Sequence, residues 1–310
     1  MPNIFPDTFL CGVQKAGTTT LDDWLSQHPQ IYCYDSLKDV HLFYRFKNLD
    51  EIMKRLALET PVYNNETVVL QSAVNYIFYP SMLQAIAQYK PGAKLIVILR
   101  NPVDRAVSAY YYFKKMRRET RGIKEALLYK PKDNFEFNHD NSDFTYIEHG
   151  LYYKQISEAL KYFKREQLLV LDYEQLKKDP HGMLRSLYFF LGVDENFIPN
   201  LSPKNITGDV KSDFVQNKML SHNKYRKWVV DHIIDPIFPV NKRKMLKKKI
   251  FEFNTVKNKI SVTEIEETPE VISAVKVKLA NYFTEDAAKL DALLGKDFSS
   301  SWFTAKTVNY

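Results

Sequence analysis

Cysteine is nearly absent. The two in 310 residues, Cys11 and Cys33, make no framework of paired thiols, which fits a reducing compartment and a fold that rests on its own core. Cys11 stands in an apolar run and reads as a small buried hydrophobe. No apolar window approaches the roughly 20 residues of a membrane-spanning helix. The opening stretch "MPNIFPDTFLCGV" has no basic segment ahead of a long apolar one, so no secretory leader is expected. The chain shows no internal repeat and no low-complexity tract, which excludes solenoids and linker-like chains. No metal-ligand spacing occurs, and no metal is expected. These absences leave a cytoplasmic globular protein as the expectation. A lumenal domain trimmed of its anchor would read the same way. The triplets Asn65-Glu66-Thr67 and Asn205-Ile206-Thr207 would matter only there, as glycan acceptors.

A chain of 310 residues buries a substantial core without staples. The formal charge of +7 points to a polyanionic partner such as a nucleotide, an acidic glycan or an anionic membrane. Spread over this length, it is equally the charge of a mildly basic protein.

Short apolar runs alternate with longer helical patterns, which predicts an α/β fold with a parallel sheet. "DTFLCGV", "TVVLQSA", "KLIVILR" and "QLLVLDYEQL" read as strands. "KLIVILR" is apolar throughout, as expected when both faces are covered. "PSMLQAIAQY", "LYYKQISEALKYFKR" and "PHGMLRSLYFFLGV" read as helices, the last closing on Gly192. Asn101 and Pro102 suit the cap and first position of another helix. Beyond about residue 200 the pattern is less regular. A proline-broken apolar stretch leads into six basic residues between Lys242 and Lys249. Thr268-Pro269 then opens a final helix. The expectation is one domain over residues 1–310, with a core over about 5–200 and a C-terminal helical lid over about 201–310. The fold class is a P-loop-type three-layer α/β fold, with a central parallel sheet flanked by helices.

The stretch "TFLCGVQKAGTTTLDDWL" carries the chemistry. A strand, a glycine-rich turn and a helix present backbone N–H groups to an anion at a helix N-terminus. Gly12 and Gly17 have the G-x-x-x-x-G spacing of a nucleotide triphosphatase, in which Lys and Ser/Thr come next. Here Thr18, Thr19 and Thr20 follow Gly17, and the cation stands earlier, at Lys15. Thr18 also suits the helix cap. "KLIVILR" ends in Arg100, where a Mg-triphosphate site would often need an acid. Arg100 lies at the carboxyl end of a buried strand, where open α/β sheets bind ligands. Ser108 follows two turns into the next helix, and the pair suits a phosphate clamp. Arg100 would equally suit an ion pair with Asp104. Taken together, the two sites suggest a nucleotide with phosphate at both ends.

On these residues the chain resembles sulfotransferases that use 3′-phosphoadenosine 5′-phosphosulfate (PAPS), in the branch of heparan sulfate and bacterial carbohydrate sulfotransferases. "GVQKAGTTTL" looks like that family's 5′-phosphosulfate loop. The resemblance implies that Lys15, Gly17, Thr18, Thr19 and Thr20, with Ala16 between them, contact the phosphosulfate. "LIVILRNPVDRAVSAYYYF" looks like the 3′-phosphate motif, which implies that Arg100 and Ser108 hold that phosphate. The family's base is a Glu in a "KE-P-HFF"-like segment. The corresponding "LKDVHLFYRF" holds Asp39, with His41 as a rival. The family often has "EKSPSY" at the next strand end, with a lysine near the sulfate. "LQSAVNY" puts Gln71 and Ser72 at those positions, which throws the sulfate's charge onto Lys15.

The activity so implied is in-line transfer of a sulfuryl group from PAPS to a hydroxyl of a glycan, glycolipid or glycosylated metabolite, with PAP as product and no metal. Positioning and charge stabilisation would dominate. Phe43, Tyr44 and Tyr76 would line an acceptor cleft. Nucleic acid is not an expected partner. Residues 232–250 would suit contact with an anionic membrane, or a solvated helix face. The oligomeric state is not readable. Two rivals stand: a P-loop small-molecule kinase using Mg-ATP, and a non-catalytic nucleotide- or polyanion-binding protein.

Overall fold

A computed structural model describes residues 4–34, 37–45, 48–57, 63–116, 118–129, 142–202, 209–210, 255–256 and 267–303. The basic block at 242–249, the 232–250 stretch and the Asn205 triplet lie outside the described residues, as does the side chain of Tyr44.

In chain order the elements are β1 (Thr8–Gly12), α1 (Thr18–Leu25), β2 (Ile31–Cys33), α2 (Leu42–Arg45), α3 (Leu49–Ala57), β3 (Val68–Ser72), α4 (Pro80–Tyr89), β4 (Lys94–Leu99), α5 (Pro102–Lys115), α6 (Ile123–Leu127), α7 (Tyr152–Ala159), β5 (Leu168–Asp172), α8 (Tyr173–Lys178) and α9 (Pro180–Leu191). After them come the two-residue strands β6 (Asp209–Val210) and β7 (Thr255–Val256), then α10 (Pro269–Leu294) and α11 (Ser299–Trp302).

Five strands form one parallel sheet in the order β2-β3-β1-β4-β5. Leu95 to Leu99 have no exposed surface, the burial expected of a parallel sheet covered on both faces. β1 lies between β3 and β4. The chain leaves β1 towards β2 and later crosses to β4 on the other side, so the switch point falls at the carboxyl end of β1. That is where such sheets take ligands.

The predicted strands recur at β1, β3, β4 and β5, with two corrections. "QLLVLDYEQL" is strand only to Asp172, whose carboxylate accepts from the Glu174 N–H at 3.0 Å and starts α8. The helix predicted over "LYYKQISEALKYFKR" stops at Ala159.

The chain forms two compact units. One holds residues 1–110, 121–202 and 267–310, and with them the whole parallel sheet; the other holds 111–120 and 203–266. Within the first, α10 packs against α6 and α7, burying Val275, Leu279, Phe283, Ala287, Leu290 and Leu294 along one stripe. The Thr268 hydroxyl caps this helix by accepting from the Val271 N–H at 3.4 Å. The final helix therefore belongs to the unit that carries the sheet. In the second unit β6 and β7 pair antiparallel.

Candidate functional site

The loop between β1 and α1 is built around its glycines. Gly12 has φ 142°, and a Cβ there would lie 2.5 Å from the Val74 carbonyl oxygen. Gly17 has φ 87°, and its Cβ would meet the Tyr173 ring at 3.1 Å. Backbone conformation demands glycine at both positions, and at Gly12 space does too. Gly17 is the N-cap of α1, so Thr18 is the first helical residue and does not cap it. The first turn of α1 holds no acidic residue. The N–H groups that a helix leaves unpaired at this end, with the positive end of its dipole, form an anion-binding surface. Thr18 is buried, Thr20 half-buried and Thr19 exposed. Ala16 is buried, and its N–H turns to the Val13 carbonyl at 3.3 Å. Its part is therefore to pack the loop rather than to donate to an anion.

Lys15 is half-buried and left-handed, with φ 68°. Arg100 follows β4 directly and donates from Nη1 to the Lys15 carbonyl at 3.0 Å. Its guanidinium carbon sits 4.8 Å from the centre of the Tyr173 ring. One hydrogen bond thus joins the two candidate anion sites, and one aromatic ring backs both Gly17 and Arg100. Burial lowers the Lys15 ammonium from its ordinary value, and the Arg100 charge lowers it further. The two positive charges thus act on each other at this end of the sheet, and an anion bound there would relieve that repulsion. Asp104 pairs instead with Lys276, at 3.0 Å, so the ion pair considered for Arg100 does not form. Asn101 caps α5 through the Val103 N–H at 2.9 Å, as its sequence suggests. Ser108 is half-buried two turns along that helix. No hydrogen bond joins it to Arg100 among the described residues.

Asp39 lies in the turn that packs on the end of β3. It too is left-handed, with φ 58°. Its N–H donates to the Ser72 carbonyl at 2.8 Å, and the Val74 N–H acts on its carboxylate. Val74 is the residue whose carbonyl crowds Gly12, so the Asp39 turn and the phosphate loop abut the same short segment. The side chain reaches solvent. The surrounding protein raises its carboxyl above the ordinary value, and Asp22 adds to the rise. Lys38 and the Val74 N–H pull the other way. Lys38 pairs with Asp22 at 2.8 Å, and the Ser72 hydroxyl donates to the other oxygen of Asp22.

His41 is half-buried, edge-on to Tyr76 with centroids 5.7 Å apart. Of the three residues expected to line an acceptor cleft, Tyr76 and Phe43 are corrected here. Tyr76 has no exposed surface. Its hydroxyl accepts from the Leu42 N–H at 3.0 Å and donates to the Val40 carbonyl at 3.4 Å, so it reaches no acceptor. Phe43 packs on the same core and stacks on Tyr89 at 6.0 Å. Both aromatic residues went to the core, their commoner fate. One residue escaped the sequence reading: Tyr173, whose only signal was a place just after a strand.

The chain matches the sulfotransferase domain family over residues 5–287. It is 25% identical over 231 residues to human heparan sulfate glucosamine 3-O-sulfotransferase 5, an alignment covering 71% of this chain and 64% of the relative. It is also 25% identical over 199 residues to the bifunctional heparan sulfate N-deacetylase/N-sulfotransferase 1 of Caenorhabditis briggsae, covering 61% of this chain and 23% of that protein. The chain thus spans about a quarter to two thirds of these relatives. A crystal structure of a sulfotransferase from Alicyclobacillus acidocaldarius superposes with a TM-score of 0.63 at 27% identity, covering 96% of this chain and 99% of that one.

Proposed function

The chain belongs to the sulfotransferase domain family, and from that premise we propose that it transfers a sulfuryl group from PAPS to a hydroxyl of a carbohydrate-containing acceptor. The observation that carries this reading is the hydrogen bond from Arg100 to the Lys15 carbonyl, which ties two cationic sites together at the switch point of the sheet. The donor set suits a nucleotide with phosphate at each end. Lys15, Gly17 and Thr18 to Thr20 would hold the 5′-phosphosulfate, and Arg100 with Ser108 the 3′-phosphate. The strands flanking β1 end in Ser72 and in Leu99 followed by Arg100. Neither places a carboxylate beside the loop, as a Mg-ATP kinase would require.

Bound PAPS supplies an activated sulfuryl group; the chain's own residues do the rest. Asp39 takes the proton of the acceptor hydroxyl as that oxygen bonds to sulfur. Lys15 neutralises the charge growing on the phosphate oxygen as its bond to sulfur breaks, leaving a sulfate ester and PAP. The carboxyl of Asp39, raised by its surroundings, is a better proton acceptor than an ordinary aspartate. His41 is the alternative base. The carbohydrate acceptor is supported by relatives named for heparan sulfate glucosamine. A cytoplasmic location is part of the same proposal.

The test is transfer of radiolabelled sulfate from PAPS to desulfated glucosamine–uronate oligosaccharides. We expect labelled product, lost in Lys15→Ala and Asp39→Asn. Label transfer that survives both substitutions would overturn the assignment of roles.

A further inference from the structure

Gln71 is fully buried at the end of β3 and has no role in the chemistry above. Its Nε2 donates to the Leu37 carbonyl at 3.0 Å and the Val40 carbonyl at 3.1 Å, and lies 3.4 Å from the Ser72 carbonyl. Its Oε1 has no hydrogen-bond partner among the described residues. The amide orientation follows from these contacts. Turned over, the oxygen would face three carbonyl oxygens; only the NH2 group matches that set of acceptors. A buried acceptor left unpaired is a cost, and an apolar residue would avoid it. What the glutamine supplies is a pair of donors to two carbonyls that bracket Lys38 and Asp39.

Asp39 needs such support. Its left-handed backbone is a conformation that persists in a residue with a side chain only when its surroundings over-determine it. Every other tie on the turn has the same effect. The Asp39 N–H reaches Ser72, and the Val40 N–H reaches Leu37 at 3.0 Å. The Tyr76 hydroxyl reaches Val40 and receives the Leu42 N–H.

We propose that Gln71, with Tyr76 behind it, is a positioning residue that clamps the 37–40 turn and fixes the Asp39 carboxylate at the reacting hydroxyl. The inference rests on Asp39 as the base. The clamp itself is a separate claim, and the test separates the two.

Gln71→Met keeps the length and removes both donors; Tyr76→Phe removes only the hydroxyl. PAP affinity within twofold of wild type establishes that a variant is folded. Amide exchange at Asp39 and Val40 should rise at least tenfold in Gln71→Met while amides of β4 stay unchanged. Turnover with PAPS and a desulfated glucosamine–uronate oligosaccharide should lose about ten- to a hundredfold in kcat, with KM for PAPS unchanged, because misplacing a reacting group by about 1 Å costs that much. Should Gln71→Met fail to fold, Tyr76→Phe gives the same readout with a smaller change. Unchanged exchange at Asp39 and Val40 overturns the clamp. Faster exchange with kcat unchanged overturns its role in positioning. Full turnover in Asp39→Asn would sink the base instead, and the exchange result would still decide whether the clamp exists.

Discussion

Lys15 and Asp39 are two of the three non-glycine residues with positive φ among the described residues. A side chain in that region costs about 1–2 kcal/mol, and such strain gathers at functional sites. Lys15→Gly separates strain from function. It should leave stability within about 1 kcal/mol of wild type, since relief of strain offsets the added chain entropy of glycine. Turnover should nonetheless fall about a hundredfold or more, the usual loss of a charge-stabilising donor; thermal melts with initial rates check both. A pH profile tests the base. Asp39 must be ionised to accept a proton, so kcat is full above its pKa and falls as the pH drops through it. Its carboxyl is raised by the surrounding protein, which puts the acid limb above that of an ordinary aspartate. The limb should be absent from whatever residual turnover Asp39→Asn retains and persist in His41→Ala. The reverse pattern would make His41 the base.

At the scale of elements, three strand ends meet at the site. β1 contributes the loop, β4 contributes Arg100 and β5 leads into Tyr173. The Tyr173 ring stacks on Arg100 at 4.8 Å and takes the Lys177 ammonium at 4.4 Å. Tyr173→Ala should weaken PAP binding three- to tenfold, the size of a cation–π contact. Tyr173→Phe should bind as wild type, because the ring makes these contacts. Titration calorimetry of the two variants decides it. The strand-loop-helix unit, the apolar β4 and the Asn101 cap were legible in the sequence because local spacing encodes each of them. The three-residue β2 was too short to show a period. The break after Asp172 was hidden because apolar residues continue through "LDYEQL" while the carboxylate turns the chain into a helix. The contacts of Tyr76 and Gln71 were not legible for one reason. Their roles are set by residues 31 to 36 positions away, which only the fold brings together.

At the scale of the whole molecule, the net charge of +7 favours anionic ligands at long range, and salt should weaken their binding. The central claim is narrower: the site is built for a nucleotide with phosphate at both ends, not for a metal-bound triphosphate. Calorimetry with PAP against ATP plus Mg2+ tests it most directly. The account predicts tight PAP binding that is lost in Arg100→Ala, and no comparable binding of Mg-ATP. Preference for Mg-ATP, or PAP binding indifferent to Arg100, would contradict it.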